Sequence, residues 1–555
     1  MPVSTSIMLE CINCKTRVPL DKRVAGCPNC GEVILEARYD LDRIDAAAWL
    51  KTLRGRKEGL WRYREVLPIQ DTSHIVSLGE GGTPLIKSKA LASMLGLKHL
   101  YIKDERQGPT ASFKDRQATV AISALKEIGV DAVVVASTGN VAIAYAAYGA
   151  RAGIKLWAFF PSLTPGDKMR EAALYGAEVI KITGTYDQTK ELAAHFAKRK
   201  GIFLDRGIKS VAAIEAMKTI AYEIAEQLGD DLEGGKHWRH PDWFLQGVSG
   251  GMGPIGVGKG FAEMLEFGLV DGMPKMGLIQ SSGCAPMVAA FRRNQRIATP
   301  VDDPNTVIAT LATGNPGRAY ELLYDYVGKY GGDFSDASDE EAFNAIRILA
   351  RSEGISVEPA TGVTFAGLFK MVQRGIIKPD EVVVVNCSGH TLPVETTILG
   401  DHWQRQVDLS ALTQTPNISQ EGIVSALDQI GEQVRRVVVI EDNVDSARLI
   451  KRMLQARGAL DVQVAHDGGS GLELVRKMRP DIVFTDLMMP DVDGFAVIDT
   501  MKNDPDLCTI PIVVISAKEL TARERERLNA QVKLLLQKGS AITEDVIDTL
   551  VHDLE

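Results

Sequence analysis

A chain of 555 residues is too long for one hydrophobic core and predicts two to four domains. Hydrophobic residues make up 45% and charged residues 24%, which excludes extensive disorder. The formal net charge is -9 and no long Lys/Arg run occurs, so no nucleic-acid partner is expected.

Met1 to Glu10 lacks a basic segment followed by a long apolar one, so the chain is expected in the cytoplasm, with its thiols reduced. Seven cysteines are present, and four of them form two C-x-x-C knuckles, Cys11-Ile12-Asn13-Cys14 and Cys27-Pro28-Asn29-Cys30. Two knuckles complete a tetrahedral thiolate site, so Cys11, Cys14, Cys27 and Cys30 are expected to hold a structural Zn²⁺. Residues 1–36 are too short to form a core, so the metal would supply much of the folding energy of this zinc-ribbon-like segment.

From 37 to 400, β-branched apolar runs alternate with helical patterns, which predicts an α/β domain with parallel sheets. Ala132 to Ala150 carries no charged side chain, but Ser137-Thr138-Gly139-Asn140 divides it into a buried strand and a small-residue helix. No membrane span is expected there. Four stretches carry chemistry. Pro109-Thr110-Ala111-Ser112-Phe113-Lys114-Asp115-Arg116 offers a lysine beside polar groups. Ser137 to Asn140 opens a helix whose N-terminal amides suit a carboxylate. Gly247-Val248-Ser249-Gly250-Gly251-Met252-Gly253 follows an apolar run and lets backbone amides approach a phosphate. Val382 to Val385 leads into Asn386-Cys387-Ser388-Gly389-His390, a hydroxyl at a strand end, where open sheets bind ligands.

Residues 401–434 are more polar and are expected to be a linker, with a possible helix through Ile423, Leu427, Ile430 and Val434. From 435 to 555 a second constellation follows: Glu441-Asp442, Asp486, Ser516 and Lys538 each end an apolar run. Strand ends of this kind gather on one sheet edge, and clustered carboxylates there suit Mg²⁺, with Ser516 and Lys538 able to hold phosphoryl oxygens.

The order of the motifs between residues 8 and 400 resembles the threonine synthase family of fold-type-II pyridoxal-phosphate enzymes. Further matching stretches are Trp61-Arg62-Tyr63-Arg64, Gly79-Glu80-Gly81-Gly82-Thr83-Pro84-Leu85, Gly314-Asn315-Pro316 and Glu353 to Ala360. The resemblance implies a two-lobed enzyme in which Lys114 forms the Schiff base with pyridoxal phosphate and shuttles the Cα proton. It implies that Asn140 bonds the cofactor's ring oxygen, that Ser137 and Thr138 hold the substrate carboxylate, and that Gly250, Gly251, Met252 and Gly253 hold the cofactor phosphate. Ser388 would face the ring nitrogen and leave it unprotonated. The activity implied is conversion of O-phosphohomoserine and water to threonine and phosphate, by a homodimer. Two features depart from the family: Ala213 stands where an arginine usually binds substrate phosphate, and the glycine loop lacks the usual asparagines. A serine or threonine dehydratase, a cysteate-synthase-like β-replacement enzyme and a non-catalytic amino-acid sensor are the alternatives.

Residues 435–555 resemble a response-regulator receiver, a flavodoxin-like (βα)5 domain. The resemblance implies that Asp486 accepts a phosphoryl group from a histidine kinase or other phosphodonor. Glu441, Asp442, Asp486 and the Met488 carbonyl would bind Mg²⁺. Leu535 replaces the usual aromatic switch, and Gly539 the usual proline after the lysine.

Overall fold

In the computed structural model, residues 7–21, 26–41, 45–390, 405–407, 435–443 and 461–516 are described, together with 446–447, 450–451, 454, 527–528, 531–532 and 534–537. The chain divides into two compact units. One comprises Met1–Phe159, Thr164–Val179 and Ala197–Gln404; the other comprises Phe160–Leu163, Ile180–Phe196 and Arg405–Glu555.

The first unit begins with a small antiparallel sheet in which Ile7–Cys11 lies between Arg17–Pro19 and Leu35–Tyr39. Its principal sheet has six strands, ordered Gly332–Ala337, Lys275–Ser281, Trp243–Gly247, Val382–Cys387, His99–Asp104 and Leu85–Lys87. The strands are parallel except the last edge strand. Val382–Cys387 is buried along its whole length, as a central parallel strand covered on both faces must be. A further parallel group joins Ala132–Ala136 to Lys155–Pro161 and Phe203–Leu204. The uncharged stretch from 132 is therefore the strand Ala132–Ala136 followed by the helix Asn140–Ala152, which stops at Gly153 in the left-handed region with φ 74°. Among the described residues, no helix is long and apolar enough to cross a membrane.

Buried charge ties the first unit together. Arg116, on the helix Lys114–Glu127, bonds Glu105 through Nε at 2.7 Å and Glu223 through Nη2 at 2.7 Å. Lys103 joins the same Glu223 at 2.8 Å. Burial works against the Glu223 charge, but Arg116 and Lys103 outweigh it and hold that carboxylate well below the usual range. The amide of Gly82 also bonds Glu223, at 2.8 Å, and a Cβ on Gly81 would meet Leu60 N at 2.3 Å. The stretch Gly79 to Leu85 thus clamps the chain close to the helix Val211–Glu233.

A second cluster docks the N-terminal sheet. Glu215 accepts from Ala37 N at 3.3 Å and from Tyr39 Oη at 2.9 Å, while Lys259 donates to Ala37 O at 2.6 Å and also bonds Glu215. Lys218 bridges Glu215 and Glu263 at 2.7 and 2.9 Å and lies 3.9 Å from the Tyr39 ring centroid.

In the second unit, Arg405–Val407 runs parallel to residues 180–182, with Arg405 opposite Ile180. The strand lies inside the stretch expected as a linker; the helix expected at 423–434 lies outside the described residues. The C-terminal sheet is wholly parallel, in the order Asp461–Ala465, Arg436–Ile440, Ile482–Thr485, Ile512–Ser516 and Leu534–Gln537. This is a doubly wound order whose switch point lies between the first and third strands in sequence.

Candidate active site and receiver site

Lys114 opens its helix directly after a loop stitched to the end of a central strand. Phe113 N donates to Ser388 O at 3.0 Å, His390 N donates to Ala111 O at 2.9 Å, and Ser112 pairs with Gly389. Ala111 adopts φ 56° within this crossing. Asp115 tightens the loop by accepting from Thr110 N at 2.9 Å and Thr110 Oγ1 at 2.7 Å; burial pushes its carboxyl up to about 7. Lys114 and Ser388, far apart in sequence, are brought to one place by these backbone bonds.

The Lys114 amine lies 4.0 Å from the Phe113 ring centroid and has no hydrogen-bond partner among the described residues. Burial lowers it to about 8, against the upward pull of Glu358 and Asp205. An amine so placed is partly neutral near pH 8 and available as a nucleophile or base.

Asn140 begins its helix after Gly139, whose φ is 137° and where a Cβ would lie 2.4 Å from Lys168 Cδ. The Asn140 amide is gripped at both ends: Lys168 Nζ donates to Oδ1 at 2.6 Å, and Nδ2 donates to Glu358 at 2.8 Å. Ser137 Oγ accepts from Gly139 N at 3.0 Å and Ala142 N at 3.1 Å, so this oxygen shapes the turn that aims the helix. Glu358, 2% exposed, also accepts from Ser388 Oγ at 2.9 Å and from Lys168 at 3.2 Å. Burial opposes its ionisation, but the Lys168 charge and the Asn140 and Ser388 hydrogen bonds hold it below the usual carboxylate range.

On another side, Asp205 accepts from Tyr145 Oη at 2.8 Å and Gly207 N at 2.8 Å, and Gln117, one helical turn beyond Lys114, donates to Tyr145 Oη at 3.3 Å. Burial raises the Asp205 carboxyl.

The glycine loop joins Trp243–Gly247 to the helix Met252–Glu266. Gly251 has φ 78°, a Cβ on Gly253 would fall 2.3 Å from Gln246 Nε2, and a Cβ on Gly250 would meet nothing within 4 Å. This helix has no side-chain cap from its leading residue, Gly251. Its N-terminal amides are thus left for an anion. An amine without a hydrogen-bond partner, an anion cradle and a fixed amide and hydroxyl fit a phosphorylated aldehyde cofactor with a polar ring.

The four sulfurs of Cys11, Cys14, Cys27 and Cys30 lie within 4.8 Å of one another, with Cys11 and Cys30 at 3.6 Å and Cys14 and Cys27 at 3.5 Å. Four thiolates about 2.3 Å from a tetrahedral ion are about 3.8 Å apart, so the spacing fits Zn²⁺. Hydrogen bonds from Thr16 hold the Cys14 thiol down to about 5, while burial pushes Cys11 up to about 11.

In the C-terminal sheet, Glu441, Asp442 and Asp486 bring carboxylate oxygens within 4.8 Å of one another, and Met488 N donates to Asp486 Oδ1 at 3.0 Å. Ser516 ends its strand opposite Gln537; Lys538 follows that residue and lies outside the described residues. Three convergent carboxylates fit a hard divalent cation such as Mg²⁺.

The family described as "Pyridoxal-phosphate dependent enzyme" matches residues 76–389, and that described as "Response regulator receiver domain" matches residues 437–548. The chain is 39% identical over 387 residues to "Threonine synthase" of Methanocaldococcus jannaschii, covering 70% of this chain and 93% of that protein. It is 35% identical to "Threonine synthase" of Methanosarcina acetivorans, with the same coverage, and 33% identical to that of Synechocystis sp. over 60% of this chain and 81% of the relative.

The chain belongs to the pyridoxal-phosphate dependent enzymes. It is a threonine-synthase-like lyase of the α/β fold-type-II class, fused to a response regulator receiver domain. Four residues of this candidate site carried little or no sequence signal. Glu358 lay within a matching stretch but looked like one acid among several. Lys168 sat unmarked in the polar helix Gly166–Leu174. The Tyr145–Asp205 pair was equally hidden. Ala213, at the position of the usual arginine, is fully buried beside Ile214 and Met217 in the core.

Proposed function

We propose that this lyase converts O-phosphohomoserine and water into threonine and phosphate, and that phosphorylation of its receiver at Asp486 regulates it. The observation carrying the first half is the 39% identity over 387 residues to a threonine synthase, 93% of whose length is covered. When bound, pyridoxal phosphate supplies the electron sink that labilises bonds at the substrate's Cα. In this reading Lys114 attaches the cofactor and, with its lowered basicity, takes and returns the Cα proton. Asn140 fixes the ring oxygen, Gly250 to Gly253 bind the cofactor phosphate through backbone amides, and Ser388 meets the ring nitrogen. Thr138 and the helix N-terminus at Asn140 receive the substrate carboxylate, with Ser137 setting the turn. Cys11, Cys14, Cys27 and Cys30 would hold a structural Zn²⁺ beside the N-terminal sheet, and Glu441, Asp442 and Asp486 would hold Mg²⁺, which would neutralise their charge for phosphoryl transfer.

Ala213 favours a second reading, in which the substrate is not O-phosphohomoserine and the enzyme is a dehydratase or a sulfite-adding β-replacement enzyme. The test is incubation with O-phosphohomoserine, with phosphoserine plus sulfite, and with free threonine, following phosphate and amino-acid products. Equimolar phosphate and threonine from the first substrate support the proposal; turnover of only the others refutes it. For the receiver, beryllofluoride with Mg²⁺ should change turnover or assembly, and no change in either overturns regulation.

A further inference from the structure

We propose that the N-terminal zinc ribbon is a clamp on the cradle for the cofactor phosphate, with Arg318 and Lys259 as its positioning residues, so that Zn²⁺ and pyridoxal phosphate bind cooperatively. The inference rests on the readings that Gly250 to Gly253 receive that phosphate and that the four cysteines hold Zn²⁺.

The ribbon's buried apolar cluster consists of Ile7, Leu9, Cys11, Cys27, Leu35 and Ala37, and two of these six are the cysteines themselves. The order of so small a sheet is coupled to its ion. Its second knuckle leads straight to the cradle. Cys27 N donates to Glu32 O at 2.7 Å, while Glu32 Oε1 accepts from Val33 N at 2.9 Å and Ile34 N at 3.2 Å. Glu32 Oε2 meets Arg318 Nε at 3.1 Å. Arg318 begins the helix Arg318–Tyr330, which covers the glycine loop: a Cβ on Gly251 would lie 3.0 Å from Leu323 Cδ1 and 3.3 Å from Ala319 Cβ. Just ahead of that helix, the Thr313 hydroxyl bonds that of Ser249 in the same loop. The Arg318 arm therefore bears on the turn whose amides are left for an anion.

The second arm is Lys259, about two turns into the helix Met252–Glu266 that opens at the cradle. Its ammonium donates to Ala37 O at 2.6 Å and bonds Glu215, which accepts from Ala37 N. The strand Leu35–Tyr39 thus grips the cradle helix through its main chain, and Leu35 of that strand pairs with Cys11 of the first knuckle. The cradle helix has no slack of its own. A Cβ on Gly260 would lie 2.6 Å from Lys218 O, and one on Gly258 would lie 2.8 Å from Tyr326 Cε2. Packing this close transmits a shift rather than absorbing it. The arms start from different knuckles, so an ion bonded to both fixes one against the other. The phosphate is held by N–H groups whose aim depends on that frame.

The test is titration of the full chain with pyridoxal phosphate and with pyridoxal, before and after zinc is removed by a chelator, following the visible absorbance of the bound aldehyde. Zinc removal should weaken pyridoxal phosphate about tenfold, within the usual range for coupled sites, and leave pyridoxal unchanged. By linkage, pyridoxal phosphate should tighten zinc by the same factor, read by competition with a chelating dye. Arg318→Met cuts one arm and should lower that factor about threefold, the scale of a partly exposed ion pair. Equal affinity for pyridoxal phosphate with and without zinc overturns the proposal, even if the variant fails to fold. So does a metal-free chain that loses both aldehydes alike, which would make zinc a requirement of folding alone, and so does a folded Arg318→Met chain with an unchanged factor. A zinc-loaded chain that does not prefer pyridoxal phosphate to pyridoxal refutes the cradle reading as well. A preference that ignores zinc refutes only the clamp.

Discussion

Glu215→Gln should detach the N-terminal sheet energetically from the catalytic unit. Glu215 is fully buried and accepts from the Ala37 amide at 3.3 Å, the Tyr39 hydroxyl at 2.9 Å and Lys218 at 2.7 Å, with Lys259 as a fourth donor. Burial works against its charge, but Lys218 and Lys259 outweigh it and hold the carboxylate below its usual range. A neutral glutamine keeps one acceptor and leaves Glu263 as the carboxylate still paired with two buried ammonium groups. Removing one partner of a buried ion pair costs about 3–5 kcal/mol, because the charge left behind stays desolvated. Urea unfolding of the full chain, followed by tryptophan fluorescence, should therefore show the Trp49- and Trp238-containing core losing stability in that range. Adding Lys259→Met to Glu215→Gln removes the stranded charge and should recover part of the loss. A single-variant loss below about 1 kcal/mol would refute the cluster's role, since that is the scale of an exposed pair.

Three further outcomes follow from the site. Capture of pyridoxal phosphate by the apoprotein needs a neutral Lys114, so its initial rate should rise with pH with a half-point near the lowered value of about 8; Asp205→Asn, which removes a charge pulling that value upward, should move the half-point lower, and a half-point near 10.5 contradicts the burial argument. Ala213→Arg, placed in a fully buried helical position, should cost at least about 3 kcal/mol through overpacking and an unpaired charge, read as loss of soluble protein or of thermal stability; a stable variant would show that the helix leaves room there. Asp486→Asn should abolish Mg²⁺-dependent labelling by a small-molecule phosphodonor, and labelling that persists would place the acceptor elsewhere.

The parts legible in the sequence were those written in short runs. Val382 to Val385 and Val133 to Val135 declare buried strands because β-branched side chains fit a pleated, covered surface. The glycines at 251 and 253 mark a turn that only a missing side chain allows. Backbone bonds bring Lys114 beside Ser388, Glu358 joins Asn140 to Ser388, and the C-terminal strand ends gather Glu441, Asp442 and Asp486. What could not be read was pairing across distance. Glu358 meets Asn140 across 218 positions and Lys168 across 190, and no periodicity announces either contact. Tyr145 falls in a small-residue helix that reads as core, yet its hydroxyl reaches Asp205. The strand Arg405–Val407 is three residues in a polar stretch, below the length at which alternation can be recognised.

Borohydride reduction of the reconstituted enzyme, followed by peptide mass mapping, tests the central claim most directly. The account predicts a stable pyridoxyl adduct on the peptide carrying Lys114 and no such adduct in Lys114→Ala. Labelling of a different lysine in the wild type, or a protein that takes up no cofactor, would contradict it.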